Sequence, residues 1–362
     1  MSAYINPNLL LDTTGIEPGH VVWRSPSNLA IIKYWGKYGV QLPRNPSISF
    51  TLANSFTETI LDYGPKQTDE DGIDLQMEFN GTEDVKIQQS THAFLQKMLP
   101  FFPFLNQLSL KIRTANSFPH AAGIASSASG MSALSLCLCS LEDRFFGTLG
   151  DPKTFDRKAS YISRLGSGSA CRSIFPYMSL WGEYRPVEGS SNEYAIPMED
   201  HIHEVFKGYH NAIMIVSSQE KSVSSRAGHA LMEDNPYADA RYRQANERME
   251  RLLQILKDGD TQAFCTIAEE EALTLHALMM ASTPSYTLLH PNTLKMIECI
   301  RGYRAQTGHP VCFSLDAGPN IHLLYPDSIK EEVQLLIDSE LVPLCERGFW
   351  IKDWVGEGPE EL

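Results

Sequence analysis

A mixed chain of strands and helices, folded as one large or two moderate domains, is what this sequence predicts. Its 362 residues, 43% hydrophobic and 20% charged, suffice to bury a full core. Short alternating runs such as Leu108 to Arg113 are interspersed with helix-spaced ones such as Phe155, Ala159 and Ile162. The composition turns polar from Gly189 to about His203, which is where a domain boundary is expected.

The elements follow in order. A polar leader runs to about Pro18. Val21 to Trp23 reads as a strand, Ser25-Pro26-Ser27-Asn28 as a turn, and Leu29 to Ile32 as a second strand entering Lys33-Tyr34-Trp35-Gly36-Lys37. There Lys33 and Lys37 can reach a polyanion while Tyr34 donates a hydrogen bond, although lysines also guard ordinary edge strands. Pro46 to Ala53, Thr57 to Tyr63 and Asp74 to Phe79 read as three strands, followed by an Asn80-Gly81 turn. A helix over Val85 to Leu99 stops at the two prolines of Pro100 to Phe104.

The strand at Leu108 leads into SFPHAAGIASSASG, Ser117 to Gly130, a small-residue loop that becomes a helix carrying Met131, Leu134 and Leu138. Backbone N–H groups and the positive helix end can hold a phosphate there, and tight helix packing is the competing reading. There is no Walker lysine, so a nucleotide bound at this loop would not make the chain a P-loop enzyme. Asp151-Pro152 starts the next helix, which Gly166 ends. Gly166 to Ser173, GSGSACRS, is a second anion-binding candidate, with Ser167 and Ser169 offering hydroxyls and Arg172 a planar fork.

Beyond the boundary, Asn211 to Val216 suits a buried central strand. Ser217 to His229, with Lys221, Ser224, Ser225 and Arg226, is a substrate loop or a solvated connector. Helices are expected over Tyr237 to Lys257, Gln262 to Ala281, Asn292 to Ala305 and Ile329 to Leu341. Glu269-Glu270-Glu271 reads as a solvated helix face, and His276 as a packed or capping histidine. Val311 to Leu315 and Ile321 to Tyr325 are strands flanking Asp316-Ala317-Gly318-Pro319-Asn320, a turn that either fixes a general base or simply uses ordinary turn residues.

The net charge of −14 argues against non-specific nucleic-acid or anionic-membrane binding, so an anionic substrate requires a locally basic pocket. Seven cysteines without a C-x-x-C pair point to reduced thiols in a cytosol. No signal peptide or membrane-spanning apolar run is read, which leaves a cytoplasmic protein as the expectation.

Together NLAIIKYWGK, SFPHAAGIASSASG, GSGSACRS and SLDAGPN resemble, in order and approximate spacing, the motifs of the diphosphomevalonate decarboxylases of the GHMP kinase superfamily. The resemblance runs from about Val21 to the C-terminal VGEGP. It implies an α+β, two-domain GHMP kinase fold with the active site in the interdomain cleft. The implied domains are 1–200, joined by a C-terminal return from about 345 to 362, and 201–344.

The implied reaction uses ATP and Mg2+ to convert mevalonate 5-diphosphate to isopentenyl diphosphate, CO2, ADP and phosphate, within isoprenoid biosynthesis. By the same resemblance Asp316, Lys33 and Arg172 are catalytic, and Tyr34, Lys37, Ser167, Ser169 and Arg172 bind substrate. Pro119, Ala121, Ala122, Gly123, Ala125, Ser126, Ser127 and Ala128 bind ATP, with Ser127 also facing the metal. His120 and Ser129 depart from the family's smaller or less polar residues. Lys86 is nearest to an arginine expected to grip the terminal substrate phosphate. The alternatives are a mevalonate 5-phosphate decarboxylase, a mevalonate kinase-like enzyme, and a non-catalytic homologue. A homodimer is also implied.

Overall fold

The computed structural model describes residues 4–12, 16–66, 72–119, 124–219 and 223–362. His120, Ala121, Ala122 and Gly123 of the expected phosphate loop, and Lys221, lie outside the described residues.

The first half runs β1 (Gly19–Ile32), a small hairpin β2 (Lys37–Tyr38) and β3 (Leu42–Pro43), β4 (Ser47–Pro65), β5 (Asp74–Phe79), α1 (Val85–Met98), β6 (Leu108–Asn116), α2 (Ser126–Phe146), α3 (Pro152–Gly166), β7 (Met178–Trp181) and β8 (Ala195–Pro197). A 3-10 turn, Gly168–Ile174, follows α3. The second half runs α4 (Glu204–Lys207), β9 (His210–Met214), α5 (Ser225–Ala230), α6 (Ala238–Asp258), α7 (Thr261–Met280), α8 (Pro291–Thr307), β10 (Cys312–Leu315), β11 (Ile321–Tyr325), α9 (Lys330–Leu336), β12 (Trp350–Trp354) and β13 (Glu360–Glu361). Strands β13-β1-β4-β6-β5 form one sheet, to which β7 and β8 add through β4. A second, antiparallel sheet has the order β10-β11-β9-β12, so β9 is the internal strand expected from its apolar run.

Two expected breaks are absent. The Ser25–Asn28 turn is continuous strand, because Pro26, which has no N–H to give, sits beside a register shift where its missing donor costs nothing. Pro46–Ala53 and Thr57–Tyr63 are likewise one strand, β4. Pro26 pairs with Phe56 and Asn28 with Thr51, leaving Leu52 to Ser55 as surplus residues. Their backbone groups are still satisfied. The Asp353 carboxylate accepts from the N–H groups of Ala53, Asn54 and Ser55 at 3.0, 2.8 and 2.9 Å.

The C-terminal segment also differs from the expected return at 345. β12 closes an edge of the second sheet, where Trp350, Ile351 and Trp354 register with β9. The chain reaches back from β12 itself, through Asp353 on β4, and then through a Val355–Leu52 bridge and β13 on β1.

Helices α2 and α3 cover one face of the first sheet with Leu134, Leu138, Leu141 and Ile162. The far ends of β1 and β4 instead join a core containing residues of both halves: Leu29, Ile31 and Phe50 pack with Tyr209, Met249 and Phe264. Phe50 and Phe264 have ring centroids 5.7 Å apart.

The acidic triplet corrects another expectation. Glu269 and Glu271 are buried, not solvated, because the opposing helices supply arginines. Glu271 pairs with Arg241 and Arg248, and Glu269 with Arg301 and Arg304.

Candidate active site

The end of β1, the start of α2, the turn Gly166–Arg172, the helix α5 and the Asp316 turn surround one cleft of about 240 Å³. It gathers Lys33, Tyr34, Lys37, Ala125, Ser127, Ser167, Ser169, Arg172 and Asp316 from four separate stretches of sequence.

Asp316 follows β10, and its turn is pinned from both sides. Asn320 Oδ1 accepts from the N–H groups of Val216 and Ser217 at 2.8 and 3.0 Å. The buried His276 donates from Nε2 to the Asp316 carbonyl at 3.1 Å, so it is indeed a packed histidine, placed directly behind the carboxylate. Lys33, only 2% exposed, donates from Nζ to Asp316 Oδ1 at 3.0 Å and to Ser314 Oγ at 2.9 Å. Burial lowers the Lys33 pKa, against the pull of Asp316.

Lys33 is also held by its main chain. Glu271 Oε2 accepts its N–H at 2.8 Å, and Arg241 donates to its carbonyl at 3.1 Å. Helix periodicity gave no sign of this buried clamp, because its partners come from α6 and α7, more than 200 residues from Lys33.

Arg172 is buried and is held entirely by neutral groups. It donates to Asn28 Oδ1 from Nε and Nη2 at 3.3 and 3.2 Å, and to Ser47 Oγ from Nη1 at 2.5 Å, while its guanidinium lies over the Trp181 ring. Among the described residues no carboxylate lies within ion-pair distance of it. Asn28 also donates to the Ser169 carbonyl and to Ser173 Oγ, so a residue read only as part of a turn organises this whole wall. Its placement inside a strand concealed that role.

Among the described residues Lys37 bonds only Gln41 Oε1, at 2.9 Å, and Arg226 of α5 lines the same cleft. This acidic chain therefore does contain a locally basic pocket, with Lys33, Lys37, Arg172 and Arg226 set around Asp316. Tyr34 packs edge-on to Trp181, and burial pushes its hydroxyl pKa up. Gly168 makes that approach possible, since a Cβ there would lie 2.8 Å from the Tyr34 hydroxyl oxygen.

Helix α2 begins after Ala125, which has φ of 47° and gives no side-chain cap; the Ala128 N–H bonds the Ala125 carbonyl at 2.7 Å, and the Ser126 and Ser127 N–H groups have no partner among the described residues, which suits them to a ligand. Ser127 Oγ is 3.3 Å from Ser167 Oγ, joining the two small-residue stretches. Ser126 and Ser127 also border a second, largely apolar pocket with Met77, Phe79, Ile87 and Met131. Lys86 lies in that pocket and does not line the basic cleft. Pro119 and Ala128 line neither pocket, and Ser129 is buried against Thr57 Oγ1 at 2.6 Å.

Residues 25–192 match the family model of the diphosphomevalonate decarboxylase-like N-terminal domain, and residues 211–347 that of the mevalonate 5-diphosphate decarboxylase C-terminal domain. The human diphosphomevalonate decarboxylase is 30% identical over 322 residues, covering 83% of this chain and 75% of that protein. The chain belongs to the diphosphomevalonate decarboxylase family.

Another diphosphomevalonate decarboxylase, from Ganoderma lucidum, is 29% identical over 86% of this chain and 80% of that protein. A crystal structure of mevalonate diphosphate decarboxylase from Staphylococcus aureus superposes with a TM-score of 0.80 at 27% identity, covering 96% of this chain and 99% of that one. The structure of MDDEF in complex with MVAPP, AMPPCP and magnesium gives 0.78 at 26% identity, with the same coverage. These likenesses span both halves, so the family's fold embraces the basic cleft as well as the sheets around it.

Proposed function

We propose that the basic cleft performs the ATP-dependent decarboxylation of mevalonate 5-diphosphate, giving isopentenyl diphosphate, CO2, ADP and phosphate. The observation that carries this reading is the buried Arg172, a cation without a carboxylate partner among the described residues, facing the Lys33–Asp316 pair across one cleft. A buried guanidinium held only by neutral groups is a standing site for an anion.

Asp316 orients the C3 hydroxyl and takes its proton as the γ-phosphoryl of ATP is transferred to that oxygen. Lys33, bonded to Asp316, stands between the hydroxyl and the transferred group and offsets negative charge. The C3–O bond then breaks with loss of phosphate. Positive charge grows at C3 near the Asp316 carboxylate, and the C1–C2 bond supplies its electron pair to the new double bond as CO2 leaves. Arg172 aligns the substrate carboxylate, while Tyr34, Lys37, Ser167, Ser169 and Arg226 hold the diphosphate. Lys37 and Arg226, additional to Arg172, favour a diphosphate over a monophosphate.

The α2 start fits the triphosphate of ATP, and the adjoining apolar pocket around Met131 fits its adenosine. Ser127 supplies a hard oxygen suited to Mg2+, which would neutralise phosphate charge. Lys86, which lines that apolar pocket and not the basic cleft, stands on this reading beside the nucleotide instead of the substrate. We divide the chain by its two sheets into a first domain of residues 1–200 with the C-terminal return that ends in β13, and a second domain from 201 that takes in β12. Seven free cysteines support a cytoplasmic location, and the family resemblance supports a homodimer, which sedimentation of the purified chain tests.

The test supplies ATP and Mg2+ with mevalonate, its 5-phosphate or its 5-diphosphate, and follows ADP and CO2. CO2 from the diphosphate is expected. Release only from the monophosphate would reassign the substrate, and ADP without CO2 would make the chain a kinase.

A further inference from the structure

His229 is a histidine that neither the motifs nor the reaction above uses, yet it forms part of the cleft wall. It sits on α5, whose start is fixed by Ser224 Oγ accepting from the Ala227 N–H. Its ring packs on Tyr34, with centroids 4.3 Å apart, and on Trp35, at 4.6 Å. The neighbouring Gly228 lets α5 come this close, since a Cβ there would lie 2.5 Å from the Trp35 ring. The side chain is 8% exposed, so its orientation is set by packing.

One ring nitrogen already has a role. Nδ1 accepts from the Gly36 N–H at 3.0 Å, which fixes the tautomer of a neutral ring: the proton is on Nε2. Nε2 bonds nothing among the described residues, nor is it among the sealed, unpartnered polar atoms of the interior. The ring borders the cleft. Burial, followed by the cations Lys37 and Arg172, lowers the His229 pKa to about 3, so the ring is neutral at any working pH.

We propose that His229 is a further substrate contact, donating from Nε2 to a diphosphate oxygen held beside Lys37, while its Nδ1 anchors the Tyr34–Lys37 loop. This rests on the decarboxylase reading for the identity of the diphosphate. Gly36, whose N–H the ring accepts, is joined directly to Lys37, which places the ring on the Lys37 side of the cleft and favours the diphosphate over the carboxylate that Arg172 receives. A neutral donor placed among cations adds a directional bond without adding charge to a pocket that already has four basic side chains.

Two substitutions separate the two nitrogens. His229→Asn keeps an acceptor near the Nδ1 position and loses the Nε2 donor, whereas His229→Gln keeps a donor near Nε2 and loses the acceptor. His229→Asn is expected to raise KM for mevalonate 5-diphosphate about tenfold, the worth of one hydrogen bond to a charged acceptor, with KM for ATP unchanged. His229→Gln is expected to recover most of that loss. Equal substrate KM in wild type and His229→Asn would overturn the contact.

Nitrogen-15 NMR of the wild-type imidazole gives a reading independent of folding in the variants and of turnover. Inorganic pyrophosphate serves as the probe. An Nε2–H tautomer whose Nε2 resonance moves on adding pyrophosphate is expected. An Nδ1–H tautomer, or no movement at saturating pyrophosphate, would overturn the proposal. Should the wild type release no CO2, the decarboxylase reading fails while this titration still decides the histidine contact.

Discussion

Replacing Glu271 by leucine tests the clamp behind Lys33. The carboxylate is fully buried and accepts from Arg241 Nη1 and Nη2 at 2.6 Å each, from Arg248 Nη1 at 2.8 Å and from the Lys33 N–H at 2.8 Å. Arg248 retains Glu270 and Thr274 as partners, but Arg241 keeps only the Lys33 carbonyl and a long contact to Gln244. One guanidinium is thus left buried without a counter-charge, and one main-chain N–H without an acceptor. The expected loss is about 3–5 kcal/mol of unfolding free energy, read as a lower urea midpoint.

Glu271→Leu combined with Arg241→Leu should recover a large part of this loss, since an apolar pair replaces an ionic one. A single-variant loss under about 1 kcal/mol, or a double variant no better than the single, would refute the reasoning. The pH dependence has a definite sign. Burial raises the Glu271 pKa, but Arg241 and the other donors bring it below its ordinary 4.5. The carboxylate's contribution is therefore complete above pH 4.5 and is lost as pH falls through the lower folded-state value.

Three further outcomes are expected. Asp316→Asn should lower CO2 release by about 10² to 10⁴-fold with an unchanged urea midpoint to within about 1 kcal/mol; near-wild-type turnover would remove its role as base. Ser127→Ala should raise KM for ATP about tenfold, as expected for a lost hydrogen bond to a charged group, while KM for mevalonate 5-diphosphate stays level. Met131→Glu should weaken ATP at least as much by placing a carboxylate in the apolar pocket; an unaltered ATP KM would mean the adenosine lies elsewhere.

Much of the cleft was legible because its chemistry is carried by short contiguous motifs. Lys33, Arg172 and Asp316 each announce themselves by residue type beside small or turn-forming neighbours. What escaped the sequence was contact across it. Asn28 looked like a turn residue because Pro26 precedes it, and only the register shift against β4 shows how a proline and a strand coexist there. Glu271 looked solvated because an acidic triplet on one helix says nothing of arginines on another. His229 fell in a polar stretch, and its significance lies in the rings of Tyr34 and Trp35, nearly 200 residues earlier in the chain. Asp353 similarly completes a strand 300 residues away by accepting the N–H of Ala53.

The apolar core that Leu29, Ile31 and Phe50 share with Tyr209, Met249 and Phe264 has a consequence for cooperativity. Strands β1 and β4 complete the interior of both halves, so neither half can melt without stripping a face from the other. The polar stretch between them divides the chain but not the folding unit. The two halves should unfold together in a single transition, and a fragment ending near residue 200 would present its strand ends to water as an unpaired apolar surface.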